Sequence, residues 1–174
     1  MTAYPPTPPE TRDWTVVLDE GCDECGYAPH VPATTGQRLT AAAGRWRVVL
    51  DRVDAAERPD PQVWSPIEYA GHSRDLVRVL GERVRLMLTE DDPTFADFDS
   101  QGEVERGGYG ELDPEVLADD IDAVTATTVE VLGAVAPEDW ERTGRRSDGF
   151  AFTVATLCQY LLHDVEHHLV DARG

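Results

Sequence analysis

The feature that most constrains this chain is a helix start at Ser65, followed by apolar residues at helical spacing. Ser65 can cap a helix, Pro66 suits the first helical position, and Glu68 stands where its carboxylate can reach back to the cap amide. Apolar residues then recur every three or four positions to about Leu88: Ile67, Tyr69, Leu76, Val79, Leu80, Val84 and Met87. The stretch predicts an amphipathic helix with one face in a core.

Three further segments show the same helical period: residues 34–57, 113–133 and 153–171. Thr34 and Thr35 can cap the first of them. Residues 89–112 are acidic, rich in glycine and without a sustained period, so they predict a long exposed connection. Four amphipathic helices with no convincing strand ladder predict an all-α fold, a four-helix bundle.

The chain divides at about residue 33. Residues 1–33 contain a Cys-x-x-Cys pair and no helical period, so they predict an irregular N-terminal arm, in which Trp14 to Leu18 forms a short strand or packs as an extension. Residues 34–174 predict the bundle. With 174 residues, of which 41% are hydrophobic, the chain can bury the core of one domain.

The charge balance excludes two classes of partner. The formal net charge is -19, and all 15 basic residues are arginine, so nucleic acids and anionic membranes would be repelled. No apolar run approaches the roughly 20 residues that span a bilayer. Residues 1–9 are rich in proline rather than basic and then apolar, which argues against a secretion signal. We therefore expect a cytoplasmic protein, monomeric or homodimeric.

Histidines are concentrated in the last predicted helix. It carries two interleaved pairs at i,i+4 spacing, His163 with His167 and Asp164 with His168, and each pair places two ligand atoms on one helix face. The apolar stripe of this helix continues to Asp164 and His168, which favours this pair as the core-facing one. His163 and His167 lie about 100° around the helix and form the alternate pair, because a small helix rotation would exchange the two faces.

A third candidate ligand, His72, lies about two turns into the second predicted helix. Imidazole and carboxylate are ligands for zinc, nickel, iron or manganese, and three protein ligands with one open position are typical of catalytic sites. The sequence therefore predicts a divalent metal, with zinc first, at His72, Asp164 and His168. The competing interpretation is an ordinary His72 and a histidine cluster that interacts with the helix dipole.

The densest basic cluster precedes the last helix and consists of Arg142, Arg145 and Arg146. Guanidinium groups bind carboxylates and other anions through paired hydrogen bonds. These arginines are therefore candidates for binding an anionic thiol or a substrate carboxylate. A solvated charged loop is the alternative interpretation.

The N-terminal arm contains Cys22-x-x-Cys25. Two cysteines at this spacing can supply half of a zinc site or act as a redox pair, and His30 is a candidate third ligand. No second Cys-x-x-Cys follows in the chain. We therefore favour a structural turn or a local thiol pair over a metal site at this position.

Two stretches of the chain resemble the DinB-like superfamily. Residues 64–72 have the sequence WSPIEYAGH and residues 163–171 the sequence HDVEHHLVD, and the likeness covers residues 34–172. This superfamily includes bacillithiol S-transferases and mycothiol-dependent maleylpyruvate isomerases. The resemblance implies a DinB/YfiT-like four-helix bundle in which His72, Asp164 and His168 hold the metal. Asp164 stands where the isomerases use glutamate.

The resemblance also implies a chemistry. A metal in a bundle cleft can bind a low-molecular-weight thiol as thiolate and so prepare it to attack an electrophile. We therefore expect a metal-dependent thiol S-transferase or isomerase, with mycothiol as co-substrate and a small-molecule electrophile as its partner. A metal-dependent hydrolase of the same fold is one alternative. A non-catalytic metal-binding protein, acting in a stress response or an interaction, is the other.

Overall fold

The computed structural model describes residues 7–8 and 11–174, so residues 1–6 and 9–10 of the predicted arm, and most of the segment considered as a secretion signal, lie outside the described residues. The helices are α1 Val17–Glu20, α2 Thr35–Leu50, α3 Pro66–Thr89, α4 Ser100–Arg106, α5 Pro114–Gly133 and α6 Val154–Asp171. Strands β1 Thr143–Arg145 and β2 Ala151–Thr153 pair antiparallel. The long helices α2, α3, α5 and α6 form the bundle, which confirms the predicted fold class.

The order of the helices around the bundle differs from their order in the chain. Helix α2 packs against α5 and α6, and α3 packs against the same two helices, so α2 and α3 occupy opposite corners. Large side chains such as Trp46, Leu80 and Leu157 fill the space between them. This arrangement makes α3 and α6 neighbours, so it brings His72 close to the C-terminal histidines.

The start of α3 is built as predicted. The amide of Ser65 donates to a carboxylate oxygen of Glu68 at 2.8 Å, and the hydroxyl of Ser65 accepts from the amide of Glu68 at 3.4 Å. Arg58 adds an ion pair to Glu68 with an N–O distance of 2.5 Å, and both side chains are almost fully buried. This network stabilises the beginning of the helix that carries His72.

The predicted cap of α2 is wrong. Residues 32–34 form a 3₁₀ turn that runs directly into the helix, so Thr34 has a helical backbone conformation and cannot cap it. Its hydroxyl donates to the carbonyl of Val31 at 2.8 Å. The helix also ends at Leu50, earlier than the predicted span of residues 34–57, and Val53 within that span is fully exposed.

The composition of the connection between α3 and α5 predicted that it is exposed, but part of it is buried. Phe95, Val104 and Tyr109 are buried, although their spacing shows no period. The ring of Tyr109 packs on Gly71, where a Cβ atom would lie 2.8 Å from the ring, and its hydroxyl donates to Asp75. Three anchoring side chains are enough to hold the segment against α3.

The N-terminal arm is helical where a short strand was one expectation. Residues 14–16 form a 3₁₀ turn that continues into α1, and α1 packs against α6. Val17, Cys22 and Tyr27 are buried in a small apolar cluster of their own. Among the described helices, none has the length and hydropathy to cross a membrane.

Candidate functional site

A pocket of about 450 Å³ opens between the start of α3, the C-terminal half of α6 and the N-terminal arm. Its walls are largely aromatic, with Trp14 from the arm, Trp64 and Tyr69 from the start of α3, and Tyr160 from α6. The polar groups that line it include His72, Asp164, His167, His168 and Asp171. All three residues of the predicted metal site therefore line one pocket.

The rings of His72 and His168 are in contact. Their centroids lie 4.9 Å apart at an interplanar angle of 70°, so one edge faces the other ring. His72 is 5% exposed. Trp64 packs against His72 with ring centroids 5.3 Å apart, and Tyr69 packs against His168 at 5.1 Å. The aromatic side chains bury His72, and His168 stays partly exposed, with 18% of its side chain accessible.

A carboxylate orients His168. Nδ1 of His168 lies 3.0 Å from Oδ2 of Asp171. An ionised carboxylate can only accept a hydrogen bond, so Nδ1 carries the proton and Nε2 keeps its lone pair. Histidines that bind metals commonly have such a carboxylate partner. The donor set of His72, Asp164 and His168 therefore fits zinc and similar divalent ions.

Asp164 lines the pocket but also contacts the neighbouring face of α6. Its Oδ1 lies 3.4 Å from Nδ1 of His163. Within the described part of the chain, the ligand atoms of His72, Asp164 and His168 do not all lie within 4.8 Å of one another. Joint binding of one ion by these three residues requires their ligand atoms to move closer together.

A second cluster of potential metal ligands does have all its ligand atoms within 4.8 Å of one another. It consists of Cys22, Cys25, His163 and His167. Sγ of Cys22 is 3.6 Å from Nδ1 of His167. The alternate pair on α6 thus faces the N-terminal arm and its two thiols.

His30, the candidate third ligand for the two cysteines, is held elsewhere. Its Nε2 lies 2.9 Å from the hydroxyl of Thr35, and its Nδ1 lies 3.1 Å from the hydroxyl of Tyr27. The described cluster around the cysteines does not include it. The arm turns both thiols towards α6 and not towards the start of α2.

The two thiols differ in acidity. Burial raises the pKa of Cys22, but the neighbouring His163 imidazole and the backbone amides of Cys25 and Glu24 outweigh it, so the net shift is downward. Burial is the main reason that the pKa of Cys25 rises to about 11. Cys22 is therefore the more easily ionised thiol of the pair.

The two histidines of this cluster are shifted in opposite directions. Burial alone would lower the pKa of His163, but Asp164 and Cys22 raise it by more. Burial is the main cause that lowers the pKa of His167, and His168 and His163 contribute to the same shift. The cluster thus combines one imidazole that favours protonation with one that favours the neutral form.

The arginine cluster is not brought to the pocket. Arg142 donates to the backbone carbonyls of Met87 and Glu90, at 2.8 Å for Glu90, and so satisfies the end of α3. The other two pair with acidic side chains: Arg145 with Asp92 at 2.8 Å, and Arg146 with Asp148 at 2.7 Å. None of the three is among the described residues that line the pocket. Substrate binding by these arginines stays a prediction.

The basic side chain at the pocket is Arg12, which the sequence did not single out. Its guanidinium carbon lies 4.1 Å above the ring of Trp14, and it also pairs with Glu24 at 2.5 Å. Both Arg12 and Trp14 come from the arm, which has no period that would predict a place at the site. Asp171 was quoted only as part of a motif, although its contact with His168 follows from i,i+3 spacing.

Comparison with known proteins extends these observations. A family model described as the DinB superfamily matches residues 33–171. Among solved structures, the chain is similar to YfiT from Bacillus subtilis, described as a probable metal-dependent hydrolase with an unusual four-helix bundle topology. The TM-score is 0.70 and the identity 17%, over 79% of this chain and 82% of that chain, so the likeness shows the fold alone. No curated protein matches. The family match includes His72, Asp164 and His168 but not the two arm cysteines.

Proposed function

The chain belongs to the DinB superfamily, and from this premise we propose that it is a metal-dependent enzyme that joins a small-molecule thiol to an electrophile. The observation that carries the proposal is the contact between the rings of His72 and His168, 4.9 Å apart in a pocket that Asp164 also lines. Two neutral imidazoles and one carboxylate would carry a single negative charge. With a divalent ion bound, the site would have a net charge of about +1, which would attract an anionic ligand.

The ion, zinc in our proposal, would lower the pKa of a coordinated thiol or water molecule. The protein's own residues supply the rest of the site. Asp171 holds His168 in the tautomer that leaves Nε2 free, and the rings of Trp64 and Tyr69 pack against His72 and His168. Arg12, paired with Glu24, also lines the pocket.

The proposed thiol is mycothiol, and the reaction is a transfer or an isomerisation. The support for this choice is the resemblance of residues 163–171 to the DinB-like superfamily, which includes mycothiol-dependent isomerases; Asp164 stands where those isomerases use glutamate. A pocket of about 450 Å³ also lies within the range of about 300–1,000 Å³ that is usual for small-molecule sites. Polar walls at α6 and aromatic walls at α3 suit a ligand that has both hydroxyl groups and apolar surface.

Hydrolysis is the second candidate. The observation that favours it is the fold shared with YfiT, which is described as a probable metal-dependent hydrolase. The same three side chains would then serve a water molecule instead of a thiol. The two candidates differ in whether turnover requires an added thiol.

Assays of metal-loaded protein with a panel of electrophiles, with and without added mycothiol, test the proposal. We expect turnover that depends on both metal and thiol, and its loss in the His72→Ala and His168→Ala variants. His30→Gln is the matched control, because it changes a histidine outside the pocket. Turnover without thiol would identify a hydrolase, and metal binding without turnover would identify a non-catalytic protein.

A further inference from the structure

We propose that Cys22, Cys25, His163 and His167 bind a structural zinc ion that fastens the N-terminal arm to α6. This site is separate from the one at His72, Asp164 and His168, and it does not depend on the proposed function. The two interleaved pairs of α6 then serve two different sites on two faces of one helix.

The donor atoms are close enough to bind one ion. All four ligand atoms lie within 4.8 Å of one another. Zinc binds sulfur at about 2.3 Å and nitrogen at about 2.0–2.1 Å, so sulfur and nitrogen atoms of one tetrahedral site are about 3.6 Å apart. The distance between Sγ of Cys22 and Nδ1 of His167 is 3.6 Å. The spacing of each pair, two and three residues between ligands, is also typical of structural zinc sites.

The imidazole of His163 is the second, independent indication of a ligand. Its side chain is fully buried, and neither ring nitrogen makes a hydrogen bond of good geometry with a described residue; the carboxylate of Asp164 lies 3.4 Å from Nδ1. Leaving a buried polar group unsatisfied is unfavourable. Binding of a metal by one of these nitrogens would remove the part of that cost that belongs to it. Two thiolates and two neutral imidazoles would also cancel the charge of the ion, which suits a buried site.

The backbone of the arm presents both thiols on one side. The amide of Cys22 donates to the carbonyl of Tyr27 at 2.8 Å, and the amide of Gly26 donates to the carbonyl of Cys22 at 2.8 Å. Gly26 has a φ of 73°, a left-handed conformation that glycine adopts without strain. The tight turn between Cys22 and Tyr27 therefore fixes the position of the cysteines before any ion binds.

The outer nitrogen of His167 has acidic neighbours. Its Nε2 lies 3.7 Å from Oδ2 of Asp171 and 3.9 Å from Oε2 of Glu24. A carboxylate on the far side of a ligating imidazole holds the proton on that nitrogen and leaves the other nitrogen for the ion. This agrees with Nδ1 of His167, the atom near Cys22, as the ligand.

A fixed arm would complete the pocket. The ring of Trp14 packs against both histidines, with centroids 5.3 Å from His163 and 5.0 Å from His167, and Arg12 lies over Trp14. Trp14 and Arg12 both line the pocket. The proposed zinc would therefore hold one wall of the pocket in place.

Cobalt substitution tests the site, because thiolate ligands give Co²⁺ an intense charge-transfer absorption and the pocket site has no thiolate. We expect this absorption in reduced wild-type protein loaded with Co²⁺, and its displacement by Zn²⁺. It should persist in the His72→Ala/His168→Ala variant and in Cys158→Ala, a control at a cysteine outside the cluster. The absorption should disappear in the Cys22→Ser/Cys25→Ser variant. The zinc content of that variant should be lower than that of the wild type by one ion per chain.

The wild-type protein alone can overturn the proposal, so the test survives variants that fail to fold. Absence of the charge-transfer absorption in Co²⁺-loaded wild-type protein would overturn the proposal. A Cys22–Cys25 disulfide in freshly purified protein would also overturn it. Alkylation gives a second measurement. We expect Cys22 and Cys25 to react only after a chelator removes zinc, and equal reaction with and without zinc would contradict the proposal.

Discussion

The hydroxyl of Thr128 on α5 donates a hydrogen bond to the backbone carbonyl of Val77 on α3, with 3.0 Å between the two oxygens. The helices approach this closely because Gly81, one turn beyond Val77, has no side chain. A Cβ atom at Gly81 would lie 2.6 Å from the hydroxyl oxygen of Thr128. The contact joins two neighbouring helices of the bundle, one of which carries His72.

Gly81→Ala should therefore destabilise the protein, although alanine favours helices. We expect a loss of about 1–3 kcal/mol in the free energy of unfolding, the usual cost of an overpacked core. Gly44→Ala in α2 is the matched control, because nothing lies within 4 Å of its Cβ position. That variant should gain about 0.5–1 kcal/mol. Urea denaturation of both variants measures the difference, and equal shifts would refute the close approach of α3 and α5.

The buried ion pair at the start of α3 should matter more than an exposed one. Glu68→Gln leaves the nearly buried guanidinium of Arg58 without its carboxylate, and we expect a loss of about 3 kcal/mol. Glu82→Gln breaks the exposed pair with Arg78, 2.9 Å apart, and should cost less than about 0.5 kcal/mol. Chemical denaturation near neutral pH compares the two. Similar losses would contradict the burial of the first pair.

The contribution of Glu68 should also depend on pH. Burial opposes the ionised form, but hydrogen bonds from Arg58 and Ser65 outweigh it and lower the pKa below the ordinary value of 4.5. The unfolded chain then takes up this proton at a higher pH than the folded one, so acid favours unfolding. The stability advantage over Glu68→Gln should be complete above the ordinary pKa and decrease as pH falls through the folded pKa. Unfolding curves from about pH 3 to about pH 6 measure it.

Asp171→Asn should weaken metal binding at the pocket without unfolding the bundle. Asparagine can donate a hydrogen bond to Nδ1 of His168, which favours the tautomer with the proton on Nε2, the wrong nitrogen for a ligand. We expect a loss of about 10–100-fold in affinity, as for other partners of ligating histidines. Calorimetric zinc titration in a Cys22→Ser/Cys25→Ser background, which lacks the second proposed site, measures it, with Asp148→Asn at the surface as control. Unchanged affinity would exclude Asp171 as the orienting group.

Local signals carried most of the fold prediction. Ser65 and Glu68 lie three residues apart, and the network between them forms in the structure as their types require. The two i,i+4 pairs of α6 also lie on separate faces, as their spacing requires. Such features depend on helix geometry alone, which the sequence contains in full. The apolar stripe indicated the wrong pair as core-facing, however, because His163 and His167 are buried whereas Asp164 and His168 are only partly buried.

Contacts between distant segments were not predictable in the same way. Cys22 and His167 are 145 positions apart, and nothing in the arm indicates that it folds back on α6. Arg142 was predicted to bind an anion because it belongs to a basic cluster. Its actual partners are backbone carbonyls at the end of α3, and these have no signature in the sequence. A backbone acceptor looks the same at every position, so its partner becomes visible only in three dimensions.

Asp171 has one further consequence. Its Oδ2 lies 3.0 Å from Nδ1 of His168 and 3.7 Å from Nε2 of His167, so a single carboxylate faces both proposed ion sites. An ion on either imidazole would draw electron density from this carboxylate and so change how strongly it polarises the other imidazole. The two ions would then be thermodynamically linked through Asp171, and by reciprocity each would alter the affinity of the other by the same factor.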